Sequence, residues 1–450
     1  MKKFHQHVEE KADVYVEALR RLCQQPSIAA QGVGIAETAK MVRTWMEEAG
    51  FETQIIPVNG GSPVVWGELG EGPRTLTFYD HYDVQPADPL DEWESDPFAA
   101  EMRGGHIYAR GVADNKGDLA ARIAAIQAWQ ESLGPLPLRV KLFVEGEEEV
   151  GSPHLETFAQ ERRELLDADG MVWEGSYKDS SGRPVLYLGV KGLAYFELRS
   201  RGPSHDLHSS WGTLIPNPAW RLVHALATLR DVDDNLLLDG LWDHVAEPPE
   251  EDMELLKKVP FEEEQLKKDF GVTAFAGRVT GLAAAVRHFF HPTTTICGFR
   301  SGYIEDGVKT VLPATAVAKL GIRLVPNLTY ELVEDLLAKH LERRGFGDVE
   351  VVRMSAENPA KSDPHSAVAR AAADACRTVY GEEPVVYPMM AGTGPMYPLS
   401  TMLDIPVVSG MGVGHAQSRI HSPNENISVE DFLQGIKYTG ELIRRFSELG

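Results

Sequence analysis

The chain has 450 residues, of which 43% are hydrophobic and 25% are charged, a composition typical of globular proteins long enough for two or three domains. Its 44 basic and 67 acidic residues give a net charge of −23, which disfavours nucleic acid and anionic membrane surfaces as partners. Cys23, Cys297 and Cys376 are far apart and form no CxxC pair, so neither a disulfide framework nor a thiolate metal site is predicted.

The N-terminal segment MKKFHQHVEEKADVYVEALRRL contains no continuous apolar stretch of the kind found in signal peptides. No later apolar run approaches the length of a membrane span. We therefore expect a cytoplasmic protein in a reducing compartment.

Strands and helices alternate in the first part of the chain. Hydrophobic spacing predicts helices over about 11–23 and 35–49, followed by strands in ETQIIPV, PVVWGEL and RTLTFYDHYDV. A helix in LAARIAAIQAWQES leads to the strand RVKLFVE, and a helix around HLETFAQERREL leads to the strand GMVWEG. This order predicts a layered α/β sheet, whose ligands bind beyond the carboxyl ends of its strands.

The pattern changes after PVLYLGVKG. The strand LAYFELRSRG, the helix NPAWRLVHALATL, a charged stretch at about 247–270, the strand AVAKLGIRLVP and the helix TYELVEDLLAKHLERRGF predict an inserted α+β domain. From about ENPAKSD the α/β pattern returns. We predict a catalytic domain made of 1–191 and 356–450, interrupted by an inserted domain at 192–355.

Several side chains that can bind metal follow predicted strands. His81 and Asp83 are two residues apart on one strand and therefore on one face, an arrangement that suits a metal-bound imidazole oriented by a carboxylate. Asp114 lies in the turn YARGVADNKGD, Glu174 ends the strand GMVWEG, and His421 follows a buried strand. Taken alone, each of these residues is more typical of a capping Asp, a solvated Glu or a hydrogen-bonded His than of a metal ligand.

Three consecutive glutamates follow the strand in RVKLFVEGEEEVGS. Alone, Glu147, Glu148 and Glu149 could form a solvated loop tip, because salt screens like charges over roughly 8 to 10 Å. Two imidazoles and several carboxylates at strand ends of one sheet favour a hydrolytic site instead. Nitrogen and oxygen ligands suit zinc, manganese or cobalt, and an unligated carboxylate can shuttle the proton of a water. The GxSxG, GxxxxGK[ST] and HExxH patterns do not occur.

With these residues assembled, the chain resembles the di-metal exopeptidase family that includes carnosinase, aminoacylase, acetylornithine deacetylase and succinyl-diaminopimelate desuccinylase, and in particular its carnosinase-like dipeptidase branch. The resemblance covers nearly the whole chain. Its motifs appear in order, namely HYD, RGVADNKG, EGEEEVGS, the acid Glu174, DLHSS and RIHSPNE. It implies a layered α/β/α catalytic domain with an inserted α+β lid that forms a homodimer.

The resemblance also implies two divalent metal ions per subunit, with Zn²⁺ expected and Mn²⁺ or Co²⁺ as alternatives. Asp114 would bridge the two ions, His81 and Glu174 would bind one of them, and Glu149 and His421 would bind the other.

The remaining catalytic roles also come from the resemblance. Asp83 would orient His81, Glu148 would be the general base, and Glu147 would be solvated. Adjacent extended residues point to opposite faces, so we expect glycines on both sides of the glutamate run to bend the chain until Glu148 and Glu149 both reach the site.

The inserted domain would supply further site residues. By the resemblance, His208 in DLHSS donates a hydrogen bond to the scissile carbonyl in the neighbouring subunit. Arg323 would bind the carboxylate of the substrate as a two-pronged donor. The substrate-binding residues implied are Asn217, Thr310, Arg323, Gly392 and Thr393.

Taken together, the sequence predicts a metallopeptidase that cleaves the amide bond of dipeptides or short peptides with a free C-terminal carboxylate. A hydroxide bridging the two ions would attack the carbonyl, with Glu148 as general base. An N-acyl-amino-acid deacylase with the same site is the nearest alternative. A non-catalytic binding protein of the same fold is a second alternative.

Overall fold

The structure, a computed structural model, describes residues 1–449, and the chain divides into two compact units. Unit 1 contains Met1–Gly189, Lys361–Pro388 and the chain from Pro395 onward. Unit 2 contains Val190–Ala360 and Met389–Gly394. The short segment Met389–Gly394 thus groups with unit 2, although the sequence analysis assigned the whole of 356–450 to the catalytic domain.

The first part of unit 1 alternates helices and strands. Its helices are α1 (Lys2–Glu10), α2 (Ala12–Gln24), α3 (Ile35–Glu48), α4 (Lys116–Leu133), α5 (Leu155–Glu161) and α6 (Arg163–Leu166). Its strands are β1 (Glu52–Ile56), β2 (Val64–Leu69), β3 (Thr75–His81), β4 (Glu101–Arg103), β5 (His106–Tyr108), β6 (Arg139–Glu145), β7 (Gly170–Lys178) and β8 (Val185–Tyr187). The short strand β9 (Gly189–Val190) crosses the boundary to unit 2.

Unit 2 has five helices and six strands within its described residues. The helices are α7 (Pro218–Ala227), α8 (Glu250–Leu256), α9 (Glu263–Asp269), α10 (Gly281–Phe290) and α11 (Tyr330–Arg343). The strands are β10 (Gly192–Arg201), β11 (Leu207–His208), β12 (Thr293–Ser301), β13 (Val311–Leu312), β14 (Thr315–Leu324) and β15 (Glu350–Glu357).

The chain then returns to unit 1. The strand β16 (Ala360–Lys361) crosses the second boundary, and the elements that follow are α12 (Ala367–Tyr380), β17 (Val385–Tyr387), β18 (Val407–His415), β19 (Asn426–Ser428) and α13 (Val429–Glu448). Within residues 1–449, no helix has both the length and the apolar character needed to cross a membrane.

Unit 1 is built on an eight-stranded sheet of order β1-β2-β6-β3-β7-β18-β8-β17. The four neighbouring strands β6, β3, β7 and β18 run parallel to one another, while β1 and β2 pair antiparallel at one edge. The central strands β3 and β6 are buried along almost their whole length, as expected where helices cover both faces of a parallel sheet. The predicted layered α/β fold is therefore confirmed.

Helix α4 begins directly after the turn that contains Asp114 and lies in the core of unit 1. It is apolar and alanine-rich on almost every side, and most of its residues are buried. Arg122 on this helix is buried, pairs with Asp80, and donates a hydrogen bond of 2.7 Å to the carbonyl of Tyr79. Its guanidinium also donates to the carbonyl of Glu174. One α4 side chain therefore joins β3 and β7, the strands that carry His81 and Glu174.

Unit 2 is an α+β unit whose four-stranded antiparallel sheet has the order β12-β14-β10-β15. The burial of β10 alternates strictly along the strand. One face of this strand, including Ala194, Phe196 and Leu198, joins a buried core with residues of α7 and α11. The opposite face carries charged residues, among them Arg323 on β14.

Candidate metal centre

His81 is the last residue of β3 and is completely buried. Its Nδ1 lies 3.1 Å from the carbonyl oxygen of Asp83 and 3.4 Å from the Asp83 carboxylate. Its Nε2 lies 3.0 Å from Oδ1 of Asp114. The ring is thus held on its Nδ1 side, with Nε2 directed toward the cluster of carboxylates.

The turn that carries Asp114 is held by a carboxylate from the other end of the chain. Glu425 is fully buried and accepts hydrogen bonds from the N–H groups of Gly111 at 2.9 Å, Ala113 at 2.8 Å and Asp114 at 3.1 Å. Arg110 adds a buried ion pair of 2.7 Å. Sequence analysis missed this role of Glu425, although the residue lies four positions after His421 in RIHSPNEN.

The glutamate run forms a 3-10 turn over Glu148–Val150. The buried carboxylate of Asp83 accepts hydrogen bonds from the N–H groups of Glu148 at 3.3 Å and Glu149 at 3.1 Å. Gly151 ends the turn with φ of 86°, a left-handed conformation that glycine adopts without strain. A side chain at Gly146 would collide with the buried ring of Tyr82.

The prediction that Glu147 is solvated is wrong. Its carboxylate accepts hydrogen bonds from the N–H of Ser62 at 3.0 Å and contacts Nδ1 of His154 at 2.8 Å. Only 12% of its side chain is exposed. The charge of Glu147 therefore anchors the turn to the loop after β1, and this distant partner could not be seen in the local sequence.

Glu174 lies inside β7 and not at its end, because the strand continues to Lys178. Its φ of 43° is unusual for a residue with a side chain, and it follows the last pairing of β7 with β3, between Trp173 and Tyr79. Its Oε1 is buried and has no hydrogen-bond partner within the described chain. The strand is therefore interrupted locally at the residue that the sequence placed at a strand end.

His421 approaches the same cluster from the loop after β18. Its Nε2 lies 3.1 Å from Oδ2 of Asp114 and 3.2 Å from Oε2 of Glu149. The other oxygen of Asp114 faces His81, so one carboxylate lies between two imidazoles. Gln85, which sequence analysis missed, binds the Glu149 carboxylate with its backbone N–H at 3.2 Å and its side-chain amide at 2.9 Å.

Two sets of these side chains have ligand atoms within 4.8 Å of one another. The first contains His81, Glu148 and Glu174, and the second contains His81, Asp114 and Glu149. All seven residues predicted for this part of the site, including Asp83 and His421, therefore lie together in unit 1.

The electrostatics of the cluster reflect its burial. Burial raises the pKa of Glu148 to about 8 and that of Glu174 well above its ordinary value. Burial would also raise the pKa of Asp114, but hydrogen bonds from His421 and His81 hold that pKa below its usual range. Hydrogen bonding, first of all to Asp114, raises the pKa of His421 to about 10. Burial therefore favours the protonated forms of Glu148 and Glu174, and hydrogen bonding favours the protonated form of His421.

Divalent metal ions fit this donor set. It offers imidazole nitrogen and carboxylate oxygen without thiolate, the combination found at hydrolytic zinc, manganese and cobalt sites. Oε1 of Glu174 is a buried acceptor without a donor among residues 1–449, a condition that costs free energy unless a ligand satisfies it. The residues present therefore suit metal binding.

Unit 2 contains the predicted substrate-binding residues and His208. His208 on β11 is exposed, pairs with Val311 of β13, and lies next to Thr310, whose carbonyl accepts the N–H of Ser209 at 3.0 Å. Asn217 caps the first turn of α7 by accepting the N–H of Ala219 at 2.8 Å, which is a structural role independent of any substrate.

The guanidinium of Arg323 donates a hydrogen bond to the hydroxyl of Thr393. The carbonyl of the neighbouring Gly392 accepts the backbone N–H of Lys191 at 2.9 Å. The ammonium of Lys191 is buried and donates to the carbonyls of His288 and His291, each at 2.7 Å. Lys191, which sequence analysis did not single out, therefore ties the AGTG segment to the end of α10.

Unit 2 also contains an apolar cavity of about 910 Å³, lined among others by Trp242, Met253, Phe261, Phe275 and Val279. None of the predicted site residues lines it. Because its lining lacks clustered carboxylates, this cavity does not account for the predicted chemistry.

A layered α/β unit with a buried cluster of imidazoles and carboxylates beyond its parallel strands defines a metal-dependent hydrolase of the α/β class. The model of the peptidase family M20/M25/M40 matches residues 77–445, and the chain belongs to this family. This match confirms the resemblance drawn from the sequence motifs and assigns the chain as a metallopeptidase.

Individual relatives agree with this assignment. The human Beta-Ala-His dipeptidase is 30% identical over 86% of this chain and 78% of its own length. The structure of the metallo-carboxypeptidase Sso-CP2 from Sulfolobus solfataricus has a TM-score of 0.90 and 39% identity, covering 97% of this chain and 99% of that protein. The di-peptidase Dug1p from Saccharomyces cerevisiae has a TM-score of 0.80 and 25% identity, with 99% and 98% covered.

Proposed function

We propose that this protein is a di-metal peptidase that cleaves dipeptides or short peptides with a free C-terminal carboxylate. The observation that carries the proposal is the position of Asp114, whose two carboxylate oxygens lie 3.0 Å from His81 and 3.1 Å from His421. A carboxylate between two imidazoles suits a bridging ligand for two cations. The ions are proposed to be zinc, with manganese or cobalt as alternatives.

The metal ligands are proposed to fall into two sets that share Asp114. His81 and Glu174 would bind one ion, and Glu149 and His421 would bind the other. Divalent ions held there would polarise the scissile carbonyl and acidify a water molecule. Asp83 holds His81 and the glutamate turn in place through the contacts described above.

Glu148 is the proposed general base. A carboxylate beside the proposed ligands can take a proton from a water molecule and return it to the leaving amine. The backbone N–H of Glu148 is fixed by Asp83, while its side chain lies within reach of His81 and Glu174. Proton transfer by such a positioned carboxylate is typically worth about 10² to 10⁴-fold in rate.

Arg323 is proposed to bind the substrate carboxylate, with Thr393 and Gly392 beside it and Asn217 and Thr310 as further contacts. His208 is proposed to stabilise the oxyanion in the site of a partner subunit in a homodimer. Its Nδ1 accepts the N–H of Ser210 at 3.2 Å, so the neutral ring carries its proton on Nε2, where it can donate outward.

Free cysteines support the proposal of a cytoplasmic location. Cys23, Cys297 and Cys376 all lie in the described chain, and none forms a disulfide, as is usual in a reducing compartment.

Two related activities compete with dipeptide cleavage. The 39% identity to a carboxypeptidase over nearly the full chain favours removal of single C-terminal residues from longer peptides. An N-acyl-amino-acid deacylase would use the same centre and the same carboxylate-binding arginine.

A substrate panel on metal-loaded protein tests the proposal. It should contain a dipeptide, a pentapeptide with the same C-terminal residue, and the N-acetyl derivative of that residue. We expect the highest kcat/KM for the dipeptide. Preference for the pentapeptide would support the carboxypeptidase, preference for the N-acetyl compound would support the deacylase, and no hydrolysis of any of them would refute the proposed chemistry.

A further inference from the structure

Arg323 and Glu357 lie in one row across the sheet of unit 2. Leu193 of β10 pairs with Arg323 of β14 on one side and with Glu357 of β15 on the other. Residues directly opposite each other in paired strands project from the same face of the sheet. Ala194 and Ile322, the next pair in the register, belong to the buried core. Arg323, Leu193 and Glu357 therefore share the face that points away from this core.

Both charged side chains in this row lack a charged partner at close range. Within residues 1–449, the ion pairs include neither Arg323 nor Glu357, and the hydrogen bond of Arg323 is to the neutral hydroxyl of Thr393. Oε2 of Glu357 is buried and has no hydrogen-bond partner in the described part of the chain. A buried carboxylate oxygen without a donor is costly and calls for a physical explanation.

The surroundings of Glu357 disfavour its charged form. Burial raises the pKa of Glu357, and the positive charge of Arg323 acts in the opposite direction without cancelling the effect. Within residues 1–449, no salt bridge joins Arg323 to Glu357, and the strand β10 lies between the strands that carry them.

The spacing of the two charges suits one bound molecule. Two strand intervals place the backbones of β14 and β15 about 10 Å apart, and both side chains can reach inward over Leu193. A molecule with a carboxylate at one end and a cationic nitrogen several bonds away would satisfy both residues at once.

We propose that Glu357 binds a cationic nitrogen of the substrate whose carboxylate is bound by Arg323. This inference rests on the proposed function and deepens it, because it makes Glu357 a specificity residue for substrates with a positive charge. The nitrogen can come from a basic side chain of the C-terminal residue or from the free amino terminus of a dipeptide. In either case the contact is an ionic hydrogen bond between the carboxylate and an ammonium or guanidinium group.

The test compares two matched substrate pairs, each of which differs only in the cation. Ala-Lys against Ala-norleucine isolates the side-chain charge, and Ala-Leu against propionyl-leucine isolates the terminal amine. In the wild-type enzyme, one of these pairs should show a kcat/KM ratio of about 10- to 100-fold in favour of the cationic member, the usual effect of a charged hydrogen bond. Glu357→Gln, which keeps the shape of the side chain, should reduce that ratio to near one whatever happens to the absolute rates.

Glu350→Gln is the matched control. Glu350 lies on the same strand β15, but it is exposed and lies near Arg199, so this variant should retain the wild-type ratio. A ratio near one for both pairs in the wild type would overturn the inference while leaving the peptidase function intact, and so would an unchanged ratio in Glu357→Gln. Failure of the wild type to hydrolyse any of these peptides would instead refute the proposed peptidase function and with it this inference.

Discussion

The position of Asp114 depends on a second carboxylate, that of Glu425. Glu425 binds three successive parts of the 111–114 turn through N–H groups and is itself neutralised by Arg110. This buried, hydrogen-bonded network favours one geometry, because a rearrangement would leave the charge of Glu425 or Arg110 buried without its partner. The orientation of Asp114 between two imidazoles is therefore built in before any ligand binds.

Glu148 and Glu149 are adjacent in the chain, and we expect their substitutions to have different effects. Glu148→Gln should retain the fold and bound metal but lose about 10² to 10⁴-fold in kcat, because an amide cannot accept a proton from water. Glu149→Gln should instead weaken metal binding. Steady-state kinetics together with metal content by mass spectrometry separates the two, and normal metal content with normal activity in both variants would show that the roles are wrongly assigned.

Arg323→Ala should raise KM for peptides with a free C-terminal carboxylate, because a two-pronged ionic contact is lost. Peptides with an amidated C-terminus lack that contact from the start, so their kinetics should change much less. Measuring both substrates on the same preparation provides the control. An equal loss on the two would mean that Arg323 acts by supporting the structure around Thr393.

At the scale of single residues, the sequence predicted the polar residues that lie in short, recognisable motifs. His81, Asp83, Asp114, Glu148, Glu149, Glu174 and His421 are brought together in unit 1. Glu425, Gln85 and Arg122 escaped prediction because they act on backbone groups or on ligands far away in the sequence. Glu147 was misjudged for the same reason, since its partner His154 lies beyond the turn.

At the scale of elements, short apolar runs predicted the central strands well, because a parallel sheet that is buried on both faces requires nearly continuous apolar runs. It could not predict that β7 continues past Glu174, since the interruption depends on where β3 stops pairing with it. Helix α1 was also missed. Its two buried residues, Phe4 and Val8, are too few to give a clear helical pattern.

A buried histidine links two helices of unit 2 and should make the stability of that unit depend on pH. Nδ1 of His340 on α11 accepts the N–H of Asp239 at 3.2 Å, and Nε2 lies 2.9 Å from the hydroxyl of Thr228, at the end of α7. Burial lowers the pKa of His340; among its charged neighbours, Asp239 opposes this shift and Arg344 adds to it. The neutral ring is therefore the form that fits the fold.

The pKa of His340 in the folded protein lies below the unfolded value of 6.5. The neutral ring therefore makes its full contribution to the free energy of unfolding above pH 6.5, and this contribution is lost as the pH falls from 6.5 through the folded pKa. The loss is at most about 1.4 kcal/mol per pH unit. His340→Asn keeps an acceptor near Nδ1 but cannot titrate, so the gap in melting temperature between wild type and variant should narrow between pH 7 and pH 5. The exposed His224→Asn serves as control, and an unchanged gap would contradict the assignment.

At the scale of the whole molecule, the predicted residues fall into two compact units. The candidate metal ligands and Glu148 lie in unit 1, while His208, Arg323 and Thr393 lie in unit 2. The sequence predicted an interrupted catalytic domain because the strand pattern changes twice along the chain. It did not predict that Met389–Gly394 groups with unit 2, since this depends on contacts such as that of Thr393 with Arg323.

A shared active site in a homodimer makes a quantitative prediction. Glu148→Ala and His208→Ala dimers should each be nearly inactive. When the two variants are combined and exchange subunits at random, about half the dimers contain one subunit of each variant. Each of these heterodimers has one intact site of two. Activity should therefore recover to roughly a quarter of wild type. Verified exchange without recovery would show that His208 serves its own chain.

The central claim is that two metal ions bind in unit 1, and the number of ions bound per chain tests it most directly. One open hydrolytic zinc site uses about three protein ligands, and the cluster in unit 1 offers more. Chelated, inactive protein should be titrated with zinc, manganese and cobalt while bound metal and peptide hydrolysis are followed together, with Glu149→Gln as the matched variant. We predict that activity returns with two ions bound per wild-type chain and that Glu149→Gln requires higher metal concentrations. Full activity with a single ion bound, or with none, would contradict the account.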